Sequence, residues 1–96
     1  FEINLPKPFT ESKETPIPIG WEVKNEKLCK DFTFKNFIDA FAFMSKVALI
    51  SEKSDHHPDL RNSYNKVNIE LTTHDIGGLS DFDIKLANSI NQIDLI

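Results

Sequence analysis

The chain has 96 residues, of which 40% are hydrophobic and 27% are charged, with eleven basic and fifteen acidic side chains. This length excludes a multi-domain enzyme, because domains usually span about 50–250 residues. The formal charge of -4 disfavours a surface that coats phosphates, so direct binding of nucleic acid is not expected. The longest apolar run, residues 41–50, contains Ser45 and Lys46 and is too short for a membrane span. A single cysteine, Cys29, excludes an internal disulfide.

Proline dominates the start of the chain, where four of the five prolines fall within the first eighteen residues. Each proline fixes φ and removes a backbone donor, which favours extended chain. We predict an extended Pro-rich arm over residues 1–19, followed by a single domain over residues 20–96. The arm contains neither a basic segment nor an apolar segment of the secretory type, so the cytoplasm is the expected compartment.

A β-hairpin and a long helix are predicted next. Trp21 and Val23 alternate with polar residues, Asn25-Glu26 offers a turn, and residues 28–32 resume the strand pattern. Thr33 is the expected cap of the helix.

The helix carries two apolar stripes at helical spacing. The stripe that we assign to the sheet consists of Phe34, Phe37, Ile38, Phe41, Met44, Ala48 and Leu49. The opposite stripe consists of Phe43, Val47 and Ile50. Because so small a sheet can cover only one face, the opposite stripe predicts a contact between copies of the chain.

The second half of the chain continues with a turn, a strand and a helix. Pro58 disfavours helix through the preceding residue, so residues 55–59 are expected to form a turn. Residues 64–74 alternate as a half-buried strand does. Residues 80–83, Ser-Asp-Phe-Asp, resemble a capping box and predict a final helix. These elements indicate an α+β fold with helices packed on one face of a sheet.

The three histidines all lie at boundaries between elements. His56 and His57 follow the long helix, and His74 ends the predicted strand. An unperturbed imidazole titrates near pH ~6.5, so three of them in one pocket can supply both a proton donor and a proton acceptor at neutral pH. They can converge if the strand runs back beside the end of the helix.

Other interpretations of these residues stay open. Histidines in turns are often only solvent-exposed, and composition alone favours that view. Zinc is disfavoured because no H-E-x-x-H spacing occurs, so we expect no metal site. A Cys–His nucleophile is disfavoured because Cys29 lies in the predicted hairpin. The Gly77-Gly78 pair matches neither a dinucleotide fingerprint nor a P-loop.

One spaced set of residues resembles the signature of the pterin-4a-carbinolamine dehydratase family. The set is Glu52, His56, His57, Pro58, Tyr64, His74 and Asp83. The segments FAFMSKVAL at 41–49, NSYNKV at 62–67 and LTTHDIGGL at 71–79 also resemble that family. The similarity runs from about Gly20-Trp21 to Ile93. One departure is ETPIPIGW at residues 14–21, because family members commonly carry a helix before the Gly-Trp pair.

The resemblance implies a four-stranded antiparallel sheet with helices on one face, assembled into homodimers or homotetramers. It implies a lyase that dehydrates 4a-hydroxytetrahydrobiopterin to quinonoid dihydropterin in tetrahydrobiopterin recycling, with no cofactor. Two alternatives remain. Animal members also act as dimerisation cofactors for a homeodomain transcription factor, and a homologue can bind pterins in another cofactor pathway.

The resemblance also assigns roles by motif position. It makes His56, His57 and His74 the catalytic and pterin-contacting residues. We expect His56 and His74 to exchange protons while His57 mainly binds the ring. Asp55, Thr73 and Asp75 flank these histidines and are expected to contact the substrate.

The remaining motif residues are expected to support the site. Glu52 is expected on the sheet-facing side of the helix, where a carboxylate can orient a histidine. Asp83 is expected to cap the final helix. Pro58 and Tyr64 are expected to shape and pack the site.

Overall fold

Residues 5–93 are described by the computed structural model, and they form four strands and two α-helices. The strands are β1 (Glu22–Lys24), β2 (Lys27–Thr33), β3 (Asp59–Ser63) and β4 (Lys66–Leu71). The helices are α1 (Phe37–Ser54) and α2 (Asp81–Asn91), and a short 3-10 helix spans His74–Ile76. All neighbouring strands are antiparallel, in the order β1-β2-β4-β3. The predicted α+β fold and the four-stranded antiparallel sheet are confirmed.

The hairpin of β1 and β2 forms as predicted, with Glu22 opposite Cys29 and Lys24 opposite Lys27. Asn25 and Glu26 have φ of 52° and 62°. Positive φ at both central residues is the mark of the turn whose twist matches that of the flanking strands.

The core lies between one face of the sheet and the two helices. The sheet contributes Leu28, Phe32, Val67, Ile69 and Leu71, and the helices contribute Ala40, Phe43, Val47, Leu86, Ala87 and Ile90. The residues from β4 are the alternating apolar positions of the sequence pattern, so the predicted half-buried strand is confirmed over Lys66–Leu71. No helix within residues 5–93 is long and apolar enough to cross a membrane.

The cap of helix α1 lies three residues later than predicted. Thr33 is the last residue of β2 and pairs with Lys66, so the prediction that it caps the helix is wrong. Asn36 is the cap, because its side-chain oxygen accepts a hydrogen bond from the backbone N–H of Asp39 at 2.8 Å. Phe34 therefore lies outside the helix, although its ring still packs 5.1 Å from that of Phe43.

The two stripes of α1 face mostly opposite ways from the prediction, although Phe34 and Met44 of the stripe assigned to the sheet do pack against the core. Its buried residues are Ala40, Phe43, Val47 and Ser51, so the stripe assigned to a second partner faces the sheet. Four large apolar residues that were assigned to the sheet are exposed instead. They are Phe37, Ile38, Phe41 and Leu49, and we call them the exposed apolar face of α1.

Helix α2 starts at the predicted capping box. The Ser80 side chain and the Asp83 side chain each accept a hydrogen bond from the backbone of the other end of the box. The N-terminal arm lies against this helix start. Lys7 donates its backbone N–H to the Asp81 carboxylate, and Phe9 donates to the carbonyl of Leu79.

Candidate active site

The pairing of β3 with β4 explains why distant histidines meet. Asp59, the first residue of β3, lies opposite Glu70, next to the last residue of β4. Extending this register backwards sets the residues before Asp59 beside the residues after Leu71. His57 thus approaches Thr72 and Thr73, and the 3-10 helix that follows starts with His74.

All three histidines line one cavity of about 250 Å³. Its walls are Asp55, His56, His57, Thr72, Thr73, His74, Asp75 and Phe82. The six residues expected to contact the substrate are therefore together on one surface. A larger cavity of about 430 Å³ lies around the β3–β4 turn and the end of β2, but no histidine lines it. The chemistry favours the smaller cavity as the site.

His56 is held by Asp83. Its Nε2 lies 2.5 Å from Oδ1 of Asp83, and the Asp83 side chain has no exposed surface. Because a carboxylate can only accept, the proton of this hydrogen bond belongs to His56 Nε2, and the unprotonated nitrogen of the neutral ring is Nδ1. The edge of the imidazole also contacts Phe82, with ring centroids 5.9 Å apart.

His57 has a different carboxylate partner. Its Nε2 lies 2.6 Å from Oε1 of Glu52. Both side chains face solvent, and that of Glu52 is 78% exposed. The expectation that Glu52 lies on the sheet-facing side of α1 is therefore wrong, because it belongs to the same side of the helix as Phe41 and Leu49.

His74, like His57, is an exposed residue. It lies at the start of the 3-10 helix, and its ring has no hydrogen bond to another residue within 5–93. Asp55, the left-handed C-cap of α1 with φ of 52°, and Asp75 stand near it in the cavity wall. The cavity thus joins one firmly held imidazole, one imidazole on a surface carboxylate and one that is free to meet a ligand.

Cys29 lies elsewhere, on β2 beside Glu70. Burial, and then the charge of Glu70, raise the pKa of its thiol, which disfavours the thiolate needed for nucleophilic attack. In the described part of the chain, no three His, Cys, Asp or Glu side chains are grouped in a way that can hold a metal ion.

A family model described as Pterin 4 alpha carbinolamine dehydratase matches residues 7–93. The chain belongs to this family.

Curated relatives in the pterin 4 alpha carbinolamine dehydratase family match most of the chain. A protein of Prochlorococcus marinus (strain NATL2A) is 60% identical over 74 residues, which cover 77% of this chain and 78% of that protein. A protein of Synechococcus sp. (strain WH7803) is 48% identical over 89 residues, which cover 93% and 95%. Both bear the name "Putative pterin-4-alpha-carbinolamine dehydratase".

Solved structures similar to this member of the family include a pterin dehydratase and a pterin dehydratase-like protein. The transcriptional coactivator/pterin dehydratase from Brucella melitensis is 43% identical with a TM-score of 0.73, over 76% of this chain and 80% of that chain. A pterin dehydratase-like protein identified as a RuBisCO assembly factor in the alpha-carboxysome is 22% identical with a TM-score of 0.59, over 77% and 89%. The second likeness concerns the fold alone.

Sequence reasoning missed some residues of the cavity and misjudged another. Thr72 and Phe82 line it but were not among the expected site residues. Their positions next to Thr73 and Asp83 were the available signal. Tyr64 is 64% exposed in the β3–β4 turn, so its predicted packing role is wrong for the single chain.

Proposed function

We propose that this chain dehydrates 4a-hydroxytetrahydrobiopterin to quinonoid dihydropterin and water, as a step in tetrahydrobiopterin recycling. The observation that carries the proposal is the single 250 Å³ cavity lined by His56, His57 and His74. Membership of the pterin 4 alpha carbinolamine dehydratase family supports it.

The reaction needs two proton transfers and no external oxidant or reductant. A base takes the proton from N5, and its electron pair forms the C4a=N5 double bond. The C4a–O bond breaks as an acid protonates the departing hydroxyl, which leaves as water. Each transfer by a positioned side chain typically contributes about 10² to 10⁴ in rate. Imidazoles suit both roles near neutral pH, so the proposed mechanism uses neither metal nor organic cofactor.

His56 and His74 are the proposed proton-exchanging pair. Asp83 holds His56 in one orientation and accepts its Nε2 proton, which leaves Nδ1 as the ring atom that can exchange a proton with substrate. His74 has both ring nitrogens available within the described residues, so it is the proposed partner for the second transfer. At the end of one turnover the two rings have exchanged protonation states, and solvent at the open cavity resets them.

His57 is proposed to bind the pterin ring. Its Nε2 is engaged with the exposed carboxylate of Glu52, so its contribution is orientation against the ring. Asp55 and Asp75 are proposed to contact the polar amide and amino edge of the pterin, because carboxylates accept hydrogen bonds from amino groups.

The exposed apolar face of α1 is the proposed contact between copies of the chain. Ile38 and Leu49 are each 74% exposed, and Phe41 is 56% exposed. A cluster of large apolar side chains on one helix face commonly marks a protein interface. We propose a homodimer or homotetramer built on this face.

Protein binding is the second candidate function. The Brucella melitensis protein is titled a transcriptional coactivator as well as a pterin dehydratase. The exposed apolar face of α1 is the surface that a transcription factor would use, and it lies outside the cavity. A pull-down with a homeodomain transcription factor should then persist in a His74→Ala variant and fail in a Leu49→Lys variant.

The enzymatic proposal is tested by following dehydration of carbinolamine generated in situ by an aromatic amino acid hydroxylase. We expect the native chain to exceed the spontaneous rate. His56→Ala and His74→Ala should each lower kcat by about 10² or more, because each removes one proton transfer. Asn88→Ala, an exposed change on α2, is the control and should retain the native rate. Native turnover in both histidine variants would overturn the proposal.

A further inference from the structure

Behind His56 lies a buried set of hydroxyl and carboxylate groups that the proposed reaction does not use directly. The Thr73 hydroxyl lies 2.8 Å from Oδ2 of Asp83 and 2.6 Å from the Ser80 hydroxyl. The backbone N–H of Ser80 reaches the same Oδ2 at 2.9 Å. The Ser80 hydroxyl in turn accepts the backbone N–H of Phe82 at 3.1 Å. Thr73, Ser80 and Asp83 are all buried.

The direction of every bond in this set follows from counting protons. A carboxylate has no proton to give, so the Thr73 hydroxyl donates to Asp83. That hydroxyl has only one proton, so Thr73 must accept in its contact with Ser80, and Ser80 donates. Ser80 is free to donate because its bond with Phe82 is one in which it accepts. The hydrogen bonds therefore form one donor-to-acceptor series, from the start of α2 through the Ser80 and Thr73 hydroxyls to the Asp83 carboxylate.

This series of hydrogen bonds fills the acceptor positions of one oxygen of the Asp83 carboxylate. Within residues 5–93, Oδ2 of Asp83 receives two donors, and Oδ1 has Nε2 of His56 as its one partner. A carboxylic acid is a much stronger acid than an imidazolium, so the shared proton stays on the ring. With three donors around it in a buried place, the carboxylate cannot rotate without leaving a polar group unpaired, which is costly.

We infer that Thr73 and Ser80 are positioning residues that act through Asp83 to keep the proton of His56 on Nε2 and to present Nδ1 to the substrate. The single proton of the Thr73 hydroxyl is committed to Asp83, so Thr73 serves the site as a support and its hydroxyl does not donate to the pterin. The catalytic consequence rests on the proposed function, whereas the tautomer of His56 does not.

The test compares Thr73→Val, which removes the hydroxyl at nearly constant volume, with Thr73→Ser, which retains it. Nitrogen NMR of the His56 ring reports which nitrogen is protonated, without any need for activity. We expect Thr73→Val to convert the single Nε2-protonated signal into a mixture of tautomers and to lower kcat by roughly ten- to a hundredfold, the worth of a hydrogen bond to a charged group. KM should change little. Thr73→Ser should restore the native signal and rate.

A second variant covers the case in which Thr73→Val does not fold. Ser80→Ala removes the donor to Thr73 and should shift the His56 signals in the same direction by a smaller amount. Unchanged His56 signals in whichever variant folds would overturn the inference, and so would a Thr73→Ser variant no better than Thr73→Val. If the native chain shows no dehydration while the tautomer still depends on Thr73, the proposed function fails and the positioning role stands.

Discussion

Asp83 serves two neighbours at once. One oxygen completes the capping box of α2 through the backbone of Ser80, and the other holds His56. A carboxylate in such a place stabilises the helix start and orders the imidazole with the same charge. Loss of that charge should therefore affect folding and chemistry together.

We predict that Asp83→Asn lowers kcat by about 10² or more, since the amide must direct its NH₂ group at one of the existing donors. It should also lower the free energy of unfolding by about 1–3 kcal/mol, because a buried donor loses its acceptor. Dehydration kinetics and urea unfolding measure the two effects.

Asp81→Asn is the matched control for this change. Asp81 lies in the same first turn of α2 but binds the arm and Lys85 instead of a histidine. Its variant should keep the native kcat. Equal kcat values for Asp83→Asn and Asp81→Asn would contradict the role given to Asp83.

The sequence predicted the cap formed by Asp83 but not its contact with His56. A capping box is a local pattern of four residues, and Ser-Asp-Phe-Asp displays it. The contact with His56 spans 27 positions and depends on how the sheet folds back. Residue spacing predicts local hydrogen bonds such as a helix cap. It predicts contacts between residues far apart in the sequence only when the spacing matches a known family pattern.

At the scale of elements, α1 shows that periodicity predicts a helix but not which of two apolar faces packs on the sheet. Both of its stripes have helical spacing, and the stripe with more large apolar residues was assigned to the sheet. The stripe that faces the sheet instead contains Ala40 and Ser51, whose small side chains allow a close approach of the helix. Phe43 packs inside with them, whereas Phe37, Ile38, Phe41 and Leu49 stay exposed, a division that periodicity alone does not reveal.

Strand β3 was not predicted from its residues. Its sequence, DLRNS, offers one large apolar side chain and no clear alternation. It forms an edge strand, where polar side chains are common. Its backbone pairing with β4 holds it in the sheet, although its own side chains show no strand pattern. The four-stranded sheet was reached only through the family resemblance.

The arm and α2 are joined by Asn91. Its side-chain oxygen accepts hydrogen bonds from Trp21 Nε1 and Lys30 Nζ, each at 3.0 Å, and its NH₂ group donates to the carbonyl of Ile19. Burial lowers the pKa of the Lys30 ammonium. Gly20, with φ of 87°, leaves room for this contact, because a Cβ there would stand 2.8 Å from Lys30 Nζ.

We predict that Asn91→Ala lowers the free energy of unfolding by about 1–3 kcal/mol, because the indole N–H of the buried Trp21 loses its acceptor. Asn88→Ala makes the same change on an exposed turn of α2, where the side chain has no hydrogen bond within the described residues. Urea unfolding followed by Trp21 fluorescence measures both. A difference of less than about 0.5 kcal/mol between the free energies of unfolding of the two variants would contradict the stabilising role given to Asn91.

At the scale of the molecule, a chain of this length has a small core, so part of its apolar surface stays exposed to solvent. The exposed apolar face of α1 lies opposite the stripe that packs on the sheet. Burial of such a face against a second copy removes it from water, and each large side chain fully buried is worth about 1.5–3 kcal/mol.

We predict that the native chain sediments as a dimer or tetramer at micromolar concentration and that Ile38→Lys/Leu49→Lys sediments as a monomer. Both positions are 74% exposed in the single chain, so the changes should not disturb its fold. Val23→Lys, a change at an exposed apolar residue of β1, is the control and should leave the assembly intact. A native chain that is only monomeric would sink the prediction.

The central claim is that three imidazoles from two separate connections act on one pterin. Nitrogen NMR of the histidine rings during titration with a non-reacting dihydropterin tests it most directly. The account predicts that the signals of His56, His57 and His74 shift together and saturate at one ligand concentration, while amides around the 430 Å³ cavity stay unchanged. Saturation that leaves His74 unmoved, or that moves the second cavity instead, would contradict it.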